Sequence, residues 1–129
     1  MLKANKRIFW SNGMTILIEN LQAVSVAFSE THFTVALSDG RFISTPLHWF
    51  PRLAYGTTAE REIYEIIDGA IHWPELDEDI EIMALLNGAK SGEGEKSLHR
   101  FRQWMQARRA GKTSAPFALA FANPLAVEP

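Results

Sequence analysis

Alternating hydrophobic and polar positions in the first half of the chain predict three short antiparallel strands. Every second side chain is apolar over residues 24–28 and again over residues 33–37, as expected for strands with one buried face. The Asp-Gly pair at residues 39–40 predicts a two-residue type I′ turn, so residues 41–45 return as the third strand. A shorter apolar run at residues 14–18 predicts one more strand before these three.

The middle of the chain changes to a helical pattern. Thr57 followed three residues later by Glu60 is a capping box, which predicts that a helix begins here. Isoleucines at positions 63, 66 and 67 supply an apolar stripe, and the Asp-Gly pair at residues 68–69 is suited to end the helix. Another strand is predicted at residues 70–73, and a short helical turn within residues 79–86.

Beyond Gly88 the composition shifts twice. Residues 89–96 are small, polar and rich in glycine, which predicts a linker. Residues 97–110 predict a basic amphipathic helix with Leu98, Phe101, Trp104 and Met105 on one side. Residues 111–129 show no clear period, and we expect a flexible tail.

Together these elements predict the α+β class. The expected architecture is a small antiparallel β-meander with one packed helix over residues 14–88, followed by the linker, the C-terminal amphipathic helix and the tail. A chain of 129 residues is long enough to bury one core without disulfide or metal support.

Composition excludes several classes of protein. The chain has no cysteine, so disulfides, thiol nucleophiles and Cys-ligated metals are excluded. No apolar run is long enough for a transmembrane helix, and no secretory signal is visible, so we expect a soluble cytoplasmic protein. Nucleophile elbows, phosphate-binding loops and dinucleotide fingerprints are all missing, which predicts a protein that is not an enzyme and needs no cofactor.

Charge is strongly segregated along the chain, although the total is only −2. Residues 1–59 carry a net charge of +2, residues 60–95 carry −9 and residues 96–129 carry +5. Such an arrangement indicates either an interaction surface or two parts of the chain that attract each other.

The acidic block contains the most unusual segment, and its candidate residues are His72, Trp73, Glu75, Asp77, Glu78 and Asp79. One hypothesis places a metal on His72, Glu75 and Asp77 in a metal-dependent enzyme. The spacing matches neither the EF-hand loop nor the two-His helix motif of zinc proteases. Capping of the next turn, solvation or contact with a partner is favoured, with Trp73 as a candidate anchor.

The basic helix has three interpretations. It could bind nucleic acid through Arg100, Arg102, Arg108 and Arg109. It could insert its apolar stripe, with Trp104 as anchor, into a groove of a partner. Or it could dock its apolar face on its own domain and keep the basic face solvated, which is favoured because amphipathic helices usually pack in this way. A related possibility is that its arginines meet the acidic surface of residues 60–81, within the chain or across a homo-oligomer.

Four segments resemble one bacterial family in the same order: residues 37–41, 46–53, 58–61 and 71–80, the last containing His-Trp-Pro-Glu-Leu-Asp-Glu-Asp. The family is the domain-of-unknown-function family twenty-four forty-two, and the resemblance covers about residues 22–88. It implies a small α+β domain with a curled antiparallel sheet and one helix, and it supplies no catalytic residues.

Members of that family resemble antitoxin-type accessory proteins, often encoded beside a small toxin candidate, and some are fused to a helix-turn-helix domain. The 41 residues after Gly88 are too few for such a domain. The resemblance therefore implies a non-enzymatic protein-interaction module, an antitoxin-like protein that neutralises a cognate partner. The alternative is a nucleic-acid-binding or transcriptional regulatory protein that uses the basic helix.

Overall fold

The structure is a computed structural model, and it describes residues 8–11, 14–17 and 21–117. Its elements confirm the α+β class. The strands are β1 Ile8–Ser11, β2 Met14–Leu17, β3 Ala23–Phe28, β4 His32–Leu37, β5 Phe42–Pro46, β6 Glu65–Ile67, β7 Ala70–Trp73 and β8 Glu78–Glu81. The helices are α1 Pro51–Tyr55, α2 Thr58–Arg61, α3 Ile82–Leu86 and α4 Glu95–Arg109, with a 3-10 turn at Leu47–Trp49.

Strands β3, β4 and β5 form the predicted antiparallel meander. Phe33, Val35 and Leu37 of β4 are buried on its inner face, while the alternate residues are partly exposed. The turn after β4 differs from the predicted type I′ form. Gly40 has a positive φ of 92° but Asp39 does not. The Leu37 N–H donates to the Arg41 carbonyl, and the Leu37 carbonyl accepts from the Gly40 N–H. The loop is therefore longer than two residues.

The helix predicted from Thr57 is much shorter than expected. The capping box forms, since the Thr57 hydroxyl accepts from Glu60 N–H and the Glu60 carboxylate accepts from Thr57 N–H, but the helix ends at Arg61. Residues Glu65–Ile67 form the strand β6 instead, which buries part of Ile66 and leaves Ile67 exposed. Adjacent β-branched residues suit a half-buried strand as well as a helix stripe, and packing decided between them.

Strands β6, β7 and β8 form a second antiparallel sheet. Asp68 and Gly69, interpreted from sequence as the end of a helix, instead connect β6 to β7. Both have positive φ, 44° and 72°, and Ile67 pairs directly with Ala70. This geometry is the two-residue type I′ turn, so the sequence prediction had the right turn type at the wrong Asp-Gly pair.

Trp73 occupies the centre of the core that both sheets share. It is fully buried, and its ring meets those of Phe28 and Phe33 edge to face. Its indole Nε1–H donates to the carbonyl of Arg61 at 2.9 Å, which satisfies the polar atom that burial would otherwise leave unpaired. The second sheet is thereby fixed against the first.

Helix α4 packs its apolar stripe on the same core. Phe101, Trp104 and Met105 are all buried members of it, which is the docking on its own domain that amphipathic helices usually show. The helix begins two residues earlier than expected, at Glu95. The boundaries proposed for the linker and tail remain predictions, and residues 118–129 lie outside the described residues.

The segment between α3 and α4 makes specific contacts with the domain. The Lys90 ammonium lies 4.8 Å from the centre of the Trp49 ring, and Ser91 N–H donates to the Trp49 carbonyl at 3.0 Å. These contacts fix where the chain enters α4. No helix in the described part of the chain is long and apolar enough to span a bilayer.

The type I′ turn predicts the effect of a substitution. Gly69→Ala should lower the free energy of unfolding by about 1 to 2 kcal/mol, because an L-residue is strained at this positive φ. Gly92→Ala is the matched control, since Gly92 lies in open space and lacks a positive φ. Urea unfolding measures both, and equal losses would contradict the turn geometry.

Candidate functional site

A buried arginine connects the parts of the domain that surround the candidate residues. Arg52 of α1 is 7% exposed, and its guanidinium binds the Glu93 carboxylate through Nε and Nη2, at 2.8 and 2.5 Å. Its Nη1 donates to the carbonyl of Asp77 at 3.0 Å. The guanidinium also lies over the rings of Phe101 and Phe117, with its central carbon 4.7 and 4.6 Å from the two ring centres.

The charges of this pair depend on each other. Burial disfavours the charged form of Arg52, but the hydrogen bonds that Arg52 donates to Glu93, together with the negative charge of Glu93, outweigh this effect and hold the pKa of Arg52 above its ordinary value. Burial likewise disfavours ionised Glu93, and Arg52 and Ser97 reverse that effect, so the pKa of Glu93 lies below its ordinary value. Removing either charge would leave the other buried without compensation.

The two last arginines of α4 are used inside the chain. Arg108 forms an ion pair with Glu75 and also donates to the Glu75 carbonyl at 2.6 Å. Arg109 Nη2 lies 2.6 Å from the carboxylate of Glu60. The attraction between the basic and acidic blocks is therefore satisfied within one chain for these residues, in agreement with the intrachain interpretation of the basic helix.

The other two candidate arginines are differently placed. Arg100 is exposed, and Arg102 approaches Glu95 only at 3.8 Å, where the carboxylate is 90% exposed. An exposed pair at this distance contributes little to stability. Of the four residues proposed to contact phosphates, two are thus engaged by the domain and two are accessible.

Strand pairing collects acidic residues on the outer face of the second sheet. Glu65, His72 and Asp79 are aligned across the three strands, and Ile67, Ala70 and Glu81 form the next row. Directly paired residues share one face of a sheet. We call Glu65, Ile67, His72, Asp79 and Glu81 the acidic sheet face.

This face is exposed and mostly negative. Glu65, Asp79 and Glu81 are exposed, as is Ile67 at 52%. Ile63, which Tyr64 separates from β6, is 49% exposed. His72 Nδ1 lies 2.6 Å from Asp79 Oδ1, and because a carboxylate only accepts, Nδ1–H is the donor. The face therefore offers carboxylates beside apolar side chains.

Sequence reasoning found only part of this face. It selected His72 and Asp79, but it placed residues 65 and 67 on a helix and left Glu81 out of the site. The type I′ turn at Asp68–Gly69 followed by an alternating run was the signal that could have identified a hairpin.

The other residues of the candidate segment point elsewhere. Glu75 pairs with Arg108, Asp77 lies against Arg52 at 3.3 Å, and Glu78 is partly buried. Within residues 8–11, 14–17 and 21–117, no three His, Asp or Glu side chains are grouped so that they could hold a metal. His72, Glu75 and Asp77, the set considered for a metal, each have a different partner.

Both tryptophans proposed as anchors are buried in the domain. Trp73 is fully buried and Trp104 is 3% exposed, with its Nε1–H donating to the Ala115 carbonyl at 2.8 Å. Neither ring is accessible at the surface of this fold. Their large aromatic side chains, predicted from sequence to anchor a partner, pack in the hydrophobic core instead.

Two comparisons with known proteins gave matches. Residues 23–91 match the family described as "Protein of unknown function (DUF2442)". A solved structure from Rhodospirillum rubrum ATCC 11170, also described as a protein of unknown function, is similar with a TM-score of 0.50 and 19% identity, over 67% of this chain and 98% of that chain. At that identity the likeness concerns the fold alone. No curated protein matches significantly.

Breaking the buried ion pair should be costly. Glu93→Ala should lower the free energy of unfolding by about 3 kcal/mol, because Arg52 remains buried without its carboxylate. Adding Arg52→Met should restore much of that loss. Glu95→Ala, on an exposed carboxylate two residues away, should cost less than about 1 kcal/mol. Chemical denaturation of the natural protein and these three variants measures this, and a double variant no more stable than Glu93→Ala would contradict the coupling.

The buried carboxyl of Glu78 predicts a pH dependence. Burial raises the pKa of Glu78 from 4.5 to about 7, so the folded state holds this proton more tightly than the unfolded state. The contribution of Glu78 to stability therefore falls as pH rises from about 4.5 to about 7. The free energy of unfolding of Glu78→Gln, relative to that of the natural protein, should therefore rise across that window by at most about 3 kcal/mol. Above about pH 7 the difference should stay constant.

Asp39→Asn is a control of opposite sign for that measurement. The Arg41 N–H donates to Asp39 and holds the pKa of this carboxyl below its ordinary value. The variant should therefore lose stability at neutral pH and lose none in strong acid. Unfolding midpoints at a series of pH values measure both variants, and parallel pH curves for Glu78→Gln and the natural protein would contradict the burial of that charge.

Proposed function

The chain belongs to the DUF2442 family of proteins of unknown function, and we propose that this member is a non-enzymatic interaction module that binds a basic partner protein. The observation that carries the proposal is the acidic sheet face, where Glu65, Asp79 and Glu81 stand exposed around the apolar Ile67. An exposed apolar side chain surrounded by charged residues is typical of a surface that recognises another protein.

Electrostatics supports a basic protein as the partner. The acidic block of residues 60–95 carries −9, and the ion pairs of Glu60, Glu75 and Glu93 with arginines neutralise only a part of it. The charge left at the surface attracts a positive partner during diffusion and excludes negative ones.

The nucleic-acid alternative receives less support. Phosphate binding needs several accessible cations on one surface, and Arg108 and Arg109 are held by Glu75 and Glu60. The acidic sheet face would repel a phosphate backbone. A gel shift at low salt tests the alternative, and a shift that is lost in an Arg100→Ala, Arg102→Ala variant would favour it.

The biological role that we propose is antitoxin-like. An acidic face that covers basic residues of a cognate toxin would block the surface that the toxin uses. The candidate partner is the protein encoded beside this one, as the family resemblance implies. Neutralisation by covering requires no catalytic group on this chain.

Charge reversal on the face should weaken binding to that neighbouring protein. The double variant Glu65→Lys, Glu81→Lys should weaken the affinity by about tenfold or more, because like charges then oppose each other across the contact. Co-purification and calorimetry measure the complex, and growth of cells that produce both proteins reports neutralisation.

A matched double variant separates this effect from a change in overall charge. Glu30→Lys, Glu95→Lys changes the net charge equally, on exposed residues away from the acidic sheet face. It should bind nearly as well as the natural protein. Equal weakening by both double variants, or a neighbouring protein that binds none of the three, would refute the proposed function.

A further inference from the structure

The strand β6 is an open edge of the second sheet. The sheet order is β6-β7-β8, so β6 pairs on one side only. Its residues alternate between exposed and half-buried, with Ile66 turned toward the core and Glu65 and Ile67 outward. An edge of this kind offers backbone donors and acceptors to another strand.

The register identifies which backbone groups are open. Ile67 and Ala70 close a two-residue turn, so they form a hydrogen-bonded pair, and the next pair, Ile66 with Ile71, is of the non-hydrogen-bonded type. The bond from Ile82 N–H to the Gly69 carbonyl, 2.9 Å, continues the same alternation into β8. The N–H and C=O of Ile66 therefore point away from β7, and the described residues supply them no backbone partner.

Side chains along this edge define what could be added. Ile63, Glu65 and Ile67 follow one another at every second position and are all exposed. Neighbours across a strand pair interact when apolar meets apolar and opposite charges face each other. The complementary segment has an apolar, a basic and an apolar residue at alternate positions.

We propose that the basic partner contributes an extended segment that adds to the edge of β6 as a fourth antiparallel strand, with a lysine or arginine opposite Glu65 and apolar residues opposite Ile63 and Ile67. The inference rests on the proposed function and specifies its mode of binding. Main-chain bonds to Ile66 provide affinity, and the alternating side chains provide selectivity.

A second copy of this chain is a poorer occupant of the same edge. Pairing two β6 strands would bring Glu65 of one copy close to the carboxylates of the other, and like charges across a strand pair are destabilising. A basic segment reverses that interaction. The edge therefore discriminates by charge between self-association and binding of the partner.

The test uses a short synthetic peptide with blocked ends and the sequence Thr-Val-Thr-Lys-Thr-Val-Thr. It should bind the full-length protein and slow the hydrogen exchange of the Ile66 amide. N-methylation of the central threonine amides, which face β6 in the antiparallel arrangement, should weaken binding by about tenfold or more. N-methylation of the lysine amide leaves the charge of the peptide unchanged and modifies an amide that does not face β6, so it should change binding little.

Variants of the protein complete the test. Ile67→Ser should weaken peptide binding, whereas Val24→Ser, on an equally exposed apolar residue of the first sheet, should not. Absence of peptide binding, equal effects of the two methylation patterns, or an unprotected Ile66 amide would each overturn strand addition. The charge-reversal experiment with the neighbouring protein is independent of these results, so the proposed function can survive this failure or fail separately.

Discussion

The ion pair of Arg52 with Glu93 is the interaction on which the arrangement of the domain depends. A guanidinium that is nearly excluded from water must be fully paired, and its partners come from distant parts of the chain. They are the carboxylate of Glu93, the carbonyl of Asp77 and the rings of Phe101 and Phe117. One buried charge thus fixes α1, the turn before β8, the entry to α4 and the segment after it.

That constraint also explains the segregation of charge. The acidic and basic blocks meet where Glu75, Glu60 and Glu93 bind arginines, so a large part of the asymmetry is internal. The acidic sheet face lies outside these contacts and keeps its charge for solvent or a partner. The acidic residues that form one block in the sequence therefore fall into two groups in the structure: some form ion pairs inside the domain, and others stay exposed and available for recognition.

The available surface is a consequence of register. Three consecutive strands of four residues or fewer bring Glu65, His72 and Asp79 into one row across the sheet. A shift of one residue in β6 would turn Glu65 inward and Ile66 outward. The type I′ turn and the burial of Trp73 fix that register, and they fix both the exposed carboxylates and the open backbone groups of Ile66.

Sequence alone determined the meander, the capping box at Thr57, the amphipathic nature of α4 and the family, because these follow from local periodicity, turn chemistry and a specific run of residues. It placed residues 63–67 on a helix, which was wrong, because isoleucines at 63, 66 and 67 have the helical spacing i, i+3, i+4 although β-branched residues also suit strands. It also could not separate aromatic residues of the core from anchors for a partner, or distinguish arginines that bind the domain from free ones. Those questions concern which distant residues meet, and only tertiary packing around Trp73 and Arg52 decided them.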